Sequence, residues 1–179
     1  MLINNKNIEV ITFGCRLNIF ESEVIKDQLN SLNAKSIIII NTCSVTSEAE
    51  RKAKQSIRKV KKLNPDTKIL VTGCAAQINP EKWFSMPEVN YVIGNKEKVD
   101  KDFWVNFLKK EEEEKNNIIV SDIMSLKESS FHLVKTFNQK TRCFLQIQNG
   151  CDHRCTFCII PYGRGNSRSV KTENVIQNI

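Results

Sequence analysis

No run of this 179-residue chain is apolar for long enough to cross a membrane as a helix, which excludes that class of integral membrane protein. The opening residues, Met-Leu-Ile-Asn-Asn-Lys-Asn, lack the charged-then-apolar pattern of a signal peptide. Histidine is scarce, with two residues, and no second CxxC or HxxxH pair follows the short-spaced cysteine run near the C-terminal end. The usual paired ligand pattern of a zinc finger is therefore missing. An even disulfide framework is missing too, because the seven cysteines are an odd set clustered as in metal chemistry. We expect a cytoplasmic protein with reduced thiols. Cations are not scarce: the net charge of +7 suggests a polyanionic partner.

The most informative stretch is Cys151-Asp152-His153-Arg154-Cys155-Thr156-Phe157-Cys158, introduced by Asn149-Gly150. Three thiols in eight residues fit neither one helix face nor one strand, so they belong to a loop that wraps a small object. Thiolates are soft ligands that suit iron–sulfur clusters and zinc better than hard cations. Three cysteines leave one metal position open, and a [4Fe–4S] cluster so held keeps one iron free for a small molecule. The alternative is a structural zinc with His153 as fourth ligand. That residue sits between two of the cysteines, where reaching the same ion would strain the loop. Cys143 lies too far ahead of the loop to supply the missing ligand.

The rest of the chain alternates strand and helix patterns. Residues 8–14 (IEVITFG) read as a strand ending in Gly, and a helix follows from about Ile19 with Val24, Ile25, Leu29 and Leu32 on one face. Residues 36–42 (SIIIINT) have no polar face, as in a strand covered on both sides. Ser47 with Glu50 reads as a capping box that opens a helix buried along Ala49, Ala53, Ile57 and Val60, and Asn64-Pro65 stops it. A third strand (TKILVTG, 67–73), a short helix (80–84) and a fourth strand (VNYVIG, 89–94) follow. Then come a long helix from about Lys96 to Glu114, packing Val99, Phe103, Val105, Phe107 and Leu108, and a short fifth strand (118–120). Such alternation predicts an α/β fold, a parallel sheet with helices on both faces.

This topology carries a second inference. Cys15, Cys43 and Cys74 each directly follow a predicted strand, about thirty residues apart. Parallel strands joined by crossovers end along one edge, so the three thiols should meet there. Single buried cysteines are commonplace; three at equivalent strand ends predict a second site. Residues 122–142 read as a linker between an N-terminal domain (1–121) and the start of another domain (143–179). His132 is expected to carry no chemistry, and Glu111 to Glu114 to be a solvated helix end. Residues 143–148 (CFLQIQ) should form the strand that delivers the loop, and 172–179 the start of a helix. The cations Arg51, Lys52, Lys54, Arg58, Lys59, Lys61 and Lys62 outnumber the carboxylates of their helix and offer a contact for a nucleic-acid backbone.

Taken together, these residues resemble the radical S-adenosylmethionine methylthiotransferases. The resemblance rests on Cys151/Cys155/Cys158 with Phe157 before the last cysteine, on Asn149-Gly150, and on Ile159-Ile160-Pro161-Tyr162-Gly163-Arg164-Gly165. It rests equally on Gly14-Cys15-Arg16-Leu17-Asn18, Glu21-Ser22-Glu23, Asn41-Thr42-Cys43 and Gly73-Cys74-Ala75-Ala76-Gln77. Ser44-Val45-Thr46 with Ala49-Glu50-Arg51-Lys52 is most similar to the MtaB type, although Ile19 stands where the family usually has a polar residue. That type adds a methylthio group to C2 of N6-threonylcarbamoyladenosine at position 37 of tRNA. The MiaB type (isopentenyladenosine in tRNA), the RimO type (an aspartate of a ribosomal protein) and a non-catalytic iron–sulfur or RNA-binding module are the alternatives.

The resemblance implies two [4Fe–4S] clusters and S-adenosylmethionine. Cys151, Cys155 and Cys158 would hold the cluster that binds S-adenosylmethionine, with Phe157 beside it. Cleaving the sulfonium there yields a radical able to take hydrogen from an unactivated carbon, while the protein supplies orientation and excludes water. Cys15, Cys43 and Cys74 would hold the auxiliary cluster that carries the transferred sulfur. The implied partners are tRNA and an electron-donating reductase or flavodoxin, with no membrane. Only 21 residues follow Cys158, whereas a full barrel of eight strand–helix units needs about 250 residues. The expectation is an N-terminal fragment with the first barrel strand and cluster loop only, inactive by itself.

Overall fold

Four consecutive isoleucines leave the second strand no polar face, and the structure covers both of its sides. The structure, a computed structural model, describes residues 8–110, 117–127 and 144–177. Five strands, β1 (Glu9–Thr12), β2 (Ile37–Thr42), β3 (Lys68–Gly73), β4 (Tyr91–Ile93) and β5 (Asn117–Ile119), form one parallel sheet in sequential order. Side chains alternate strictly across it. Ile38, Ile40, Ile69, Val71 and Val92 face one layer, and Val10, Ile37, Ile39, Leu70, Tyr91 and Ile93 face the other. Each such buried side chain is worth roughly 1.5–3 kcal/mol of burial.

The first layer consists of α2 (Ser47–Leu63), α3 (Cys74–Ile78) and α4 (Pro80–Phe84), contributing Ala53, Ile57, Val60, Ala75, Ala76 and Trp83. The second consists of α1 (Arg16–Ser31) and α5 (Lys101–Lys110), contributing Ile25, Leu29, Trp104 and Phe107. Every crossover steps to the next strand in the same direction, yet the helices divide between two faces, so the crossovers do not share one hand, as nearly all such connections do. The division has a use. The chain leaves β1 toward one face and β2 toward the other, so the turns at their carboxyl ends diverge without any reversal of strand order.

Several expectations shift in detail. The first helix begins at Arg16, with Cys15 as its N-cap. The cap of α2 is Thr46 rather than Ser47: the Ala49 N–H donates to the Thr46 hydroxyl (3.2 Å), because Thr46 has the extended backbone a cap requires. Glu50 instead pairs with Lys82 of α4 at 2.6 Å. The long helix breaks at Asp100, whose carboxylate accepts from the N–H of Asp102 (2.9 Å). A 3-10 turn (Glu97–Val99) precedes the break and α5 follows it. Trp104, not Val105, fills the core, and its indole donates to the Lys98 carbonyl (2.9 Å).

The expected strand at 143–148 is also different. Residues 144–147 are irregular, and β6 (Gln148–Asn149) pairs antiparallel with β7 (Arg168–Ser169). Gly150, at φ +78°, turns the chain, and the Cys151 N–H donates to the Gly165 carbonyl (3.1 Å), folding residues 165–169 back alongside. Between the cysteine loop and that return lies α6 (Ile160–Arg164), and α7 (Thr172–Ile176) closes the described part. Cys143, His132 and Glu111 to Glu114 lie outside the described residues, as does most of the expected linker. The linker's first residues are packed: Ile123, in a 3-10 turn (Ile123–Ser125), is buried. No helix among the described residues is long and apolar enough to cross a membrane.

Candidate functional site

Each of the first three strands ends in a turn that carries one cysteine. Cys15 follows β1, Cys43 follows β2 and Cys74 opens α3 directly after β3, and these strands are neighbours. Two glycines make the approach possible. Gly14 has φ +110°, and a Cβ there would lie 2.4 Å from the Cys43 Cβ and 2.7 Å from its Sγ. Gly73 has φ +98°, and a Cβ there would lie 2.1 Å from the Thr42 carbonyl oxygen. The Gly-Cys pairs of the sequence thus exist so that backbone can pass where a side chain cannot. All three thiols are free, with Cys43 and Cys74 buried and Cys15 exposed. Burial pushes the Cys43 thiol up; a hydrogen bond from the Val45 backbone opposes this, and charge on Cys74 and Cys15 adds to it.

Behind the thiols lies a buried network of charge. Glu21 of α1 pairs with Lys98 at 2.6 Å through one oxygen and with Arg164 of α6 through the other. The remaining nitrogens of Arg164 donate to the Asn18 side-chain oxygen and, at 3.0 Å, to the Cys74 sulfur. Lys98 also donates to Asn41 (3.3 Å), and Asn41 donates to the Asn18 carbonyl (3.0 Å) and the Ser22 hydroxyl (2.9 Å). Asn18 in turn donates to the carbonyls of Phe13 and Thr42, both at 2.9 Å, tying the turns that precede Cys15 and Cys43. Burial alone would raise the Glu21 carboxyl, but Arg164 and Lys98 together hold it below the usual carboxylate range. Burial pushes Lys98 down despite Glu21. Burial would also lower Arg164, yet Glu21 and the Cys74 sulfur hold it above its ordinary value.

The C-terminal triad is built locally. Cys151 and Cys158 are half-buried and Cys155 is exposed in the loop, as is the neighbouring Phe157, at 91%. The Cys158 N–H donates to the Cys155 carbonyl (3.0 Å), closing a tight turn between the last two thiols. Outward-facing groups fix the loop's shape. Arg154 donates to the Cys151 carbonyl (2.8 Å) and to Asn166, and the Asp152 carboxylate accepts from the Ser167 N–H (2.8 Å). His153 is exposed beside them.

Residues 7–94 match the family described as "Uncharacterized protein family UPF0004". Across nearly its whole length the chain is similar to curated methylthiotransferases. It is 51% identical over 176 residues to the threonylcarbamoyladenosine tRNA methylthiotransferase MtaB of Rickettsia prowazekii, covering 98% of this chain and 40% of that protein. To the MtaB of Bacillus subtilis it is 36% identical over 175 residues, covering 93% of this chain and 38% of the relative. To the tRNA-2-methylthio-N(6)-dimethylallyladenosine synthase of Dictyoglomus thermophilum it is 31% identical over 182 residues, covering 95% and 40%. The similarity to these methylthiotransferases runs over 93–98% of the chain's own length. It spans about 40% of the length of the curated relatives it matches.

The two sets of thiols are donors of the type that iron–sulfur clusters take. No three Cys, His, Asp or Glu side chains among the described residues converge closely enough for a single metal ion. A [4Fe–4S] cluster makes a different demand, since each thiolate binds its own iron and the sulfurs surround a cube instead of a point. The free thiols of Cys15, Cys43 and Cys74 stand at three neighbouring strand ends, with backbone N–H donors at the Cys43 sulfur and the Arg164 guanidinium at the Cys74 sulfur, a donor set whose chemistry suits such a cluster. What the motifs alone missed was the charge network. Its signal was present in α1, where Asn18, Glu21 and Ser22 continue the stripe of Ile25 and Leu29 at helical spacing. Polar residues on a buried stripe mark a partner to be found elsewhere in the fold.

Proposed function

We propose that this chain is the cluster-bearing part of a tRNA methylthiotransferase of the MtaB type, working in the cytoplasm on N6-threonylcarbamoyladenosine in tRNA. Cys151, Cys155 and Cys158 would hold the cluster that binds S-adenosylmethionine, and Cys15, Cys43 and Cys74 the auxiliary cluster. When bound, these groups supply radical hydrogen abstraction at C2 of the adenine and the sulfur that replaces the hydrogen. The chain's own residues set the two sites. Gly14 and Gly73 let the sheet-edge turns close, Asn18 and Asn41 lock them, and Arg154 and Asp152 shape the exposed loop, leaving Cys155 and Phe157 open to a small molecule.

One observation carries this reading: two sets of three free thiols, one gathered by three adjacent strand ends and one by a loop, occur in a chain with MtaB relatives. The domain division at 1–121 and 143–179, tRNA as substrate and a reductase or flavodoxin as electron donor belong to the same proposal. So does the expectation that the chain alone does not turn over. Anaerobic reconstitution with iron and sulfide counting tests it, and two clusters per chain is the expected result. Zinc without iron would instead favour a non-catalytic binding module. Repeated methylthio-adenosine formation by the isolated chain would overturn the inactivity.

A further inference from the structure

Arg164 lies six residues after Cys158 but donates its hydrogen bonds into the other site. One guanidinium reaches Glu21, Asn18 and the Cys74 sulfur, the last at 3.0 Å through Nε. We propose that Arg164 is a positioning residue that ties the loop site to the sheet-edge site and holds the Cys74 sulfur in place. This rests on reading Cys74 as a ligand of the auxiliary cluster.

Two observations support it beyond the hydrogen bond. The first is charge. Within this network Glu21 already has a buried partner in Lys98, so Arg164 adds a second buried cation to one carboxylate. Arg168, also buried, donates to the Arg164 carbonyl (2.8 Å) and brings further positive charge. A buried cation without compensation is costly. A thiolate sulfur at Cys74, as a metal ligand would present, removes one unit of that surplus directly at Arg164. The second is packing. A Cβ on Gly163 would meet the Cys74 Cβ at 3.0 Å, and Asn95 donates to the Gly163 carbonyl at 2.5 Å while lying 3.9 Å from the Cys74 sulfur. The α6 backbone is therefore seated on Cys74, and any shift of the loop's trailing segment is felt at that sulfur. The planar fork of Arg serves three partners at once, which a Lys ammonium cannot match in the same geometry.

The test uses Arg164→Gln and Arg164→Lys in the full chain. Arg164→Gln leaves Glu21 paired with Lys98, so it should fold, which circular dichroism checks; should it not fold, Arg164→Lys carries the comparison. In the metal-free chain, hydrogen exchange should show protection lost together at 160–165 and 74–78, with 37–42 unchanged. Loss confined to 160–165, or none, would overturn the tie. In chains that also carry Cys151→Ala, Cys155→Ala and Cys158→Ala, loaded anaerobically with iron and sulfide, the remaining cluster should have a more negative reduction potential in Arg164→Gln. Removing a cation from its ligand sulfur disfavours the added electron, and Arg164→Lys should fall between. An unchanged potential would reduce Arg164 to packing alone. If the Arg164 parent itself takes up no iron, the auxiliary-cluster reading fails, and hydrogen exchange alone then decides whether Arg164 joins the two segments.

Discussion

The two cysteine triads are assembled in opposite ways. The sheet-edge triad draws its members from three turns spread over sixty residues, and it exists only if β1, β2 and β3 pair in register. The loop triad spans eight residues, is held by Arg154 and Asp152, and owes little to the sheet. The first has two of its three thiols buried and is backed by charge, and the second is half open with Phe157 exposed. A site gathered from distant turns needs the fold to build it, whereas a site of close neighbours in the chain can be built by spacing. Stability and metal binding should therefore be coupled strongly at the sheet edge and weakly at the loop.

The largest effect should come from Glu21→Ala. It leaves Lys98 and Arg164 buried without a counter-charge, which typically costs about 3–5 kcal/mol, read from urea unfolding. A loss below about 1 kcal/mol would mean that the network is peripheral to the fold, since that is the worth of an exposed pair. The same carboxylate sets a pH signature. Its folded pKa lies below its unfolded value, so its stabilisation is complete above the ordinary Glu pKa of about 4.3 and is lost as pH falls through the depressed folded value. Acid titration of Glu21→Gln should lack that part of the decline.

Next come two glycine variants that separate the sites. Gly73→Ala places a Cβ 2.1 Å from a Thr42 backbone oxygen at φ +98°, and should cost on the order of 1–3 kcal/mol together with the iron of the sheet edge. Gly150→Ala places one 2.0 Å from the Asn166 carbonyl oxygen and should impair only the loop's iron. Equal damage to both sites from either variant would erase the distinction. A milder comparison is Cys43→Ala against Cys155→Ala. Each should remove about half of the reconstituted iron, while only the buried Cys43 should also move the urea midpoint.

The smallest effect on the fold should come from Lys59 and Lys62. They are exposed, whereas Lys61 donates to the Thr67 carbonyl (3.0 Å) and Lys54 sits over the Trp83 ring. Neutralising both should leave unfolding unchanged and lower the salt slope of tRNA binding by roughly 0.9 for each phosphate no longer neutralised. An unchanged slope would assign α2 a merely solvated face.

Much of this was legible in the residue order, for a local reason. The isoleucine run could only be a doubly covered strand, Cys151 to Cys158 could only be a loop, and Cys15, Cys43 and Cys74 each stood directly after a strand. Those are properties of a few consecutive residues. What the tertiary structure alone decided involves partners far apart in the chain: the division of helices between two faces, the displacement of the cap to Thr46, and the antiparallel return of β7 onto β6. Above all it decided that Arg164 closes on Glu21 and Cys74, since a buried charge is satisfied by whichever opposite group the packing brings near, and no spacing in the sequence encodes that distance.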